Sequence, residues 1–101
     1  MIRGTTPTHT FTFSVDPSEI KDFVISYAQN DKIVLEKRKD DCTISDDGKV
    51  EIMLTQEETL MFEHGVMVEM QTKALLNDGL TVVSNIIGTT VSRVLNEEVL
   101  V

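Results

Sequence analysis

Two histidines, one cysteine and several paired carboxylates are the side chains of this chain that could do chemistry. His9 stands where an alternating segment begins, and His64 sits in Glu63-His64-Gly65, a turn. A zinc site needs three or four ligands at suitable spacing. No second His or Cys stands near either histidine, so both are read as solvated. Cys42 is the single cysteine and cannot close an internal disulfide. A reactive thiolate wants an electropositive pocket. Cys42 instead alternates with Ile44 and is read as a small buried hydrophobe. Asp46-Asp47-Gly48 lacks the D-x-D-x-D-G run and the later Glu of a calcium loop, and is read as a turn. Asp40-Asp41 and Glu97-Glu98 could act as acid and base only in a shared pocket, and nothing in their spacing builds one. The expectation is a chain with no catalytic residue, no cofactor and no metal.

Composition narrows the partners. The 101 residues suit one domain, 1–101. With 41% hydrophobic and 26% charged residues the chain can build a core, unlike a disordered chain. The formal net charge of −8 repels a polyanion, so nucleic acid is not an expected partner. The basic cluster Lys37-Arg38-Lys39 is cancelled by Asp40-Asp41. No apolar run approaches the ~18 residues of a membrane helix, so no membrane partner is expected. The first residues contain no apolar h-region, so no signal peptide is expected, and the cytoplasm of the producing cell is the expected location.

Period-2 alternation dominates the elements that would position these groups. Phe11, Phe13 and Val15 alternate with Thr10, Thr12 and Ser14 as a half-buried first strand, which Asp16-Pro17-Ser18 breaks. Residues 18–21 suit one helical turn. Residues 22–29 and 32–38 read as a hairpin about Asn30-Asp31. A short strand over 42–45 precedes the Asp46-Asp47-Gly48 turn. Residues 49–54 alternate with Val50, Ile52 and Leu54 inward. In Leu54-Thr55-Gln56-Glu57-Glu58-Thr59-Leu60-Met61-Phe62, Thr55 and Glu58 match a capping box. The segment reads as one helical turn crossing between sheets, with Leu60 and Phe62 plugging the end. Residues 66–76 form a long strand, and Asn77-Asp78-Gly79 a hairpin turn. Residues 80–87 are apolar on both faces, as in a strand covered on both sides. Gly88 suggests a bulge, and 89–95 a continuing strand. About seven short strands in this length fit an antiparallel immunoglobulin-like β-sandwich with one short helical turn, with a barrel as the alternative.

The remaining signal is surface. Tyr27 and the four Phe residues occupy alternating apolar positions and read as core. Met53 and Met67, with Val24, Val34 and Leu75, fall on faces opposite that core, and such apolar patches mark protein contacts. The tail Val99-Leu100-Val101 is apolar and suited to pairing with a strand edge or another subunit. The expected interface set is Met53, Met67, Leu75, Val91, Leu95, Val99, Leu100 and Val101. A homo-oligomer would follow from a symmetric edge contact. A carbohydrate or host-surface ligand-binding module is the competing reading, but it asks for clustered exposed aromatics, and the chain has no Trp and one Tyr.

Three stretches carry a resemblance. Met1-Ile2-Arg3-Gly4-Thr5-Thr6-Pro7-Thr8-His9-Thr10-Phe11 begins it. Asp41-Cys42-Thr43 and Leu54-Thr55-Gln56-Glu57-Glu58-Thr59-Leu60 form its middle. Asp78-Gly79, Ser84-Asn85-Ile86, Val91, Leu95 and Val99-Leu100-Val101 close it. Through these the chain resembles a small family encoded in prophages of Gram-positive gut bacteria. It is similar, more weakly, to the N-terminal immunoglobulin-like domain of phage upper-baseplate proteins, which anchors a larger host-binding protein to the tail. The resemblance implies a non-enzymatic structural or assembly protein, a tail or baseplate adaptor. Its partners would be other tail proteins or itself. It would reside in the virion, and in the host cytoplasm before assembly. No fibre or receptor-binding region follows in this sequence, so a free-standing adaptor, a decoration protein and an assembly factor are all compatible with it.

Overall fold

The alternation over residues 20–38 folds as a hairpin of β2 (Ile20–Gln29) and β3 (Lys32–Arg38). Asn30 and Asp31 turn it with φ of 52° and 63°, a left-handed backbone that short polar side chains tolerate. The computed structural model describes every residue except Ser14 and Asn85. The outward position expected of Ser14, and Asn85 of the closing motif, lie outside the described residues.

Eight strands among the described residues make two antiparallel sheets. The smaller has the order β1-β5-β4, from β1 (Thr8–Thr12), β5 (Lys49–Met53) and β4 (Thr43–Ile44). The larger has the order β3-β2-β6-β7, and β8 also pairs with β6. Its later strands are β6 (Val68–Leu76), β7 (Thr81–Val83) and β8 (Ile87–Thr89). No strand ladder joins the sheets among the described residues, so the architecture is a two-sheet sandwich and not a closed barrel.

The core lies between the sheets. Val50, Ile52 and Leu54 point inward from the smaller sheet; Phe23, Ile25, Tyr27, Val68, Met70 and Ala74 point inward from the larger. Burying each large side chain stabilises by about 1.5–3 kcal/mol. Register explains why the set is coherent. Phe23 pairs with Ala74, Ile25 with Thr72 and Tyr27 with Met70, so each pair shares the buried face. Phe13 and Phe23 meet with ring centroids 5.4 Å apart, and Tyr27 and Phe62 at 6.0 Å, both in the range of favourable aromatic pairs.

The crossover between sheets is the single turn of α1 (Gln56–Thr59). Its capping box is complete. The Glu58 N–H donates to Thr55 Oγ1 at 3.1 Å, and the Thr55 N–H donates to Glu58 Oε1 at 2.9 Å. Glu58 also pairs with Lys37 Nζ of β3 at 2.5 Å. Burial pushes the Glu58 carboxyl up, but the bonds from Lys37 and Thr55 outweigh it, so the group is held below its usual range. Phe62 seals the end of the sandwich, while Leu60 is half-buried. Thr55→Ala removes one half of the box and is expected to cost about 1 kcal/mol in denaturant unfolding; an unchanged midpoint would show that the turn is held by packing alone.

Four expectations need correction. The second strand starts at Ile20, because Pro17–Glu19 already supplies a 3₁₀ turn capped by Asp16. Residues 80–87 are not covered on both sides. A three-stranded sheet cannot cover one of five strands, and the uncovered part is this edge, where all of β7 is exposed. Gly88 is not the bulge. Ser84 sits opposite Thr72 through Ser84 N–H to Thr72 O at 2.9 Å, whereas Ile87 pairs with Met70. Gly88 keeps regular register, opposite Glu69. Finally, residues 89–95 do not continue as strand. After Thr89 the chain runs beside the N-terminus, with Ser92 N–H to Met1 O at 2.8 Å and Arg3 N–H to Ser92 O at 3.1 Å.

Candidate functional site

The side chains that could do chemistry are spread over both sheets and their turns. His9, expected to be solvated, is half-buried on β1, with Nδ1 2.9 Å from the Tyr27 hydroxyl. Burial, with the nearby amino terminus, holds its pKa below 6.5. Burial likewise raises that of Tyr27, first through desolvation and then through Cys42 and Glu58. The two neutral groups satisfy each other in the core, and Tyr27 is inaccessible to any substrate. Cys42 is half-buried against the core, and its thiol donates to Arg38 O at 3.2 Å. Desolvation and then Asp41 raise its pKa, opposite to what a nucleophile needs. His64 is exposed. Among the described residues no three of His, Cys, Asp and Glu gather as metal ligands. In the Asp46-Asp47-Gly48 turn Ser45 Oγ donates to Asp47, and Gly48 takes φ 84°.

The expected interface residues do not form one patch. Met53 is exposed on the smaller sheet, opposite Thr8. Met67 is exposed beside the larger sheet and its sulfur lies over Gly88; a Cβ there would stand 2.7 Å from Sδ. Leu75 is half-buried, in a shallow groove with Val24, Arg38 and Lys73. Val91 is 4% exposed, and its carbonyl accepts from Gly65 N at 3.0 Å. It belongs to the core of this chain, because the run beside the N-terminus turns it inward. Leu95, Leu100 and Val101 are exposed, and Val99 is half-buried. The tail does not pair with a strand edge. The Gln56 amide imitates one, donating to Leu100 O at 2.8 Å and accepting from Leu100 N at 2.9 Å.

A run of exposed apolar side chains lies elsewhere. Leu80, Val82, Val83, Ile86 and Ile87 are all large, apolar and exposed, and they follow one another along the free edge of the larger sheet. Val82 lies on the inner face with Ala74, and Val83 on the outer face with Lys73. Ile86 borders an outer-face depression of about 280 Å³ with Ser26, Ala28 and Ile33. On the inner side, Val82 borders a cleft of about 180 Å³ that reaches Phe13, Val15 and Ala74. Thr72 forms part of that cleft's lining, and its buried Oγ1 has no hydrogen-bond partner among the described residues. A buried hydroxyl left without a partner costs about 1–3 kcal/mol.

The two edges of the larger sheet are built differently. β3 carries Lys32, Glu36, Lys37 and Arg38, charges of the kind that guard an edge against pairing. The opposite edge lies inside residues 79–92, fourteen consecutive residues with no Asp, Glu, Lys or Arg, the longest such run in the chain. Alternation reasoning missed this edge because two apolar faces looked like two covered faces. The usable signal is the charge gap itself.

The fold and this surface define an all-β sandwich whose larger sheet has a charged edge at β3 and an uncharged one at β7 and β8. Comparison with family models, with curated proteins and with solved structures finds no match.

Proposed function

We propose that this chain is a non-enzymatic phage or prophage structural or assembly protein, a tail or baseplate adaptor, working through protein–protein contacts. The observation that carries the contact mechanism is the uncharged β7–β8 edge. An exposed, β-branched edge without charge is a template for adding a strand. Natural chains blunt such edges unless they use them, and the opposite edge of the same sheet is blunted. The phage setting comes from the resemblance of the three sequence stretches described above. A carbohydrate-binding reading has less support: Tyr27, Phe23 and Phe62 are buried, and Phe11 and Phe13 are half-buried, so no exposed aromatic platform stands at a loop end.

The test is mass spectrometry of purified particles from an induced lysogen carrying the gene. The chain is expected in particles at a fixed ratio to tail proteins. Its presence in the lysate but absence from both particles and tail-assembly intermediates would overturn the reading.

A further inference from the structure

We propose that the β7–β8 edge takes a second copy of this chain, strand against antiparallel strand about a twofold axis. This rests on the assembly reading above and names its partner. Three observations converge. Two copies each of charge −8 repel wherever their acidic surfaces meet. The run 79–92 offers the longest line of approach on which no like charges face one another. The run is bounded by Asp78 at its start and Arg93 at its end, and neither forms an ion pair among the described residues. Antiparallel pairing sets the Asp78 end of one copy against the Arg93 end of the other, so the ends attract, whereas parallel pairing would set like against like. Lastly, the edge offers apolar side chains to both faces of the joined sheet: Val83 and Ile86 outward, Val82 and Ile87 inward. With Leu80 and Met67 these can form the apolar centre of an interface of about 800 Å² per partner, the usual size for a specific complex. A docked strand also closes the mouth of the cleft beside Thr72.

The edge consists of two short strands, so about a twofold axis β7 of one copy pairs with β8 of the other. Isologous contacts of this kind close as dimers and do not grow into fibres.

Sedimentation velocity over a concentration series, up to the solubility limit, tests this. The wild-type chain is expected to shift from monomer to dimer. Val83→Glu should weaken association about tenfold or more by placing a charge in the interface. It should still fold, because the new carboxylate faces Lys73 across the strands. Arg93→Glu should weaken it by removing the end-to-end attraction. Lys32→Glu, on the opposite edge, should leave it unchanged. A wild-type chain that stays monomeric throughout, or a dimer indifferent to Val83→Glu, overturns the proposal. Neither result touches the particle experiment above, which decides the assembly reading separately.

Discussion

Tyr27→Ala is expected to lower the unfolding free energy by about 3–5 kcal/mol, the largest single effect in this chain. Tyr27 is fully buried in the middle of β2, where it packs against Phe62 and lies opposite Met70. Truncation removes an aromatic ring from between the sheets and leaves a cavity that two hydrogen-bonded layers cannot collapse to fill. It also deprives half-buried His9 of the hydroxyl at its Nδ1. Tyr27→Phe separates the two contributions. It keeps the ring, removes only the hydroxyl and is expected to cost about 1 kcal/mol. A domain of this size has a total stability of only about 5–15 kcal/mol. The alanine variant should therefore unfold at far lower denaturant, with the m-value unchanged. A loss below about 1 kcal/mol for Tyr27→Ala would mean that the sheets are not packed through this residue.

The second large effect is expected at Gln29, a buried polar side chain at the end of β2. Its amide holds the corner that leads into β6. Nε2 donates to Glu63 O at 2.8 Å and to Val66 O at 3.1 Å, and Oε1 accepts from Glu63 N at 2.9 Å. Gln29→Leu keeps a similar volume but removes all three partners. Each buried backbone group left unpaired costs about 1–3 kcal/mol, and water entering the corner recovers part of that. A net loss of about 2–4 kcal/mol is expected, with faster amide exchange at Glu63 as its local signature. If Gln29→Leu were as stable as wild type, the corner would be held by the Val68 and Phe62 packing and not by the amide.

These two residues also show what could be read from the sequence. Tyr27 was legible because period-2 alternation places Phe23, Ile25 and Tyr27 on one face whatever lies opposite. The Thr55–Glu58 cap and the Asn30-Asp31 turn were legible for a similar reason: both are local, with all their partners within a few residues. Gln29 was not legible, since its partners lie 34 and 37 residues away and a Gln at a strand end looks solvent-facing. His9 was misjudged on the same ground, as its partner is on the other sheet. Val91 looked like a surface strand residue, and only the N-terminal segment running beside it turns it inward. The edge at residues 80–87 failed in the opposite direction. Apolarity on both faces was seen, but the width of the smaller sheet, which decides whether those faces are covered, is a property of the whole fold.

Assembly through the β7–β8 edge is measured most directly by amide hydrogen exchange at low and at high protein concentration. Alternate backbone groups of β7 and β8 point away from β6, and the assembly bonds them. Amides of Thr81–Val83 and Ile87–Thr89 are therefore expected to gain protection as concentration rises, while those of Lys32–Arg38 on the guarded edge stay unchanged. Exchange along β7 and β8 that does not depend on concentration, or protection appearing at β3 instead, would contradict it.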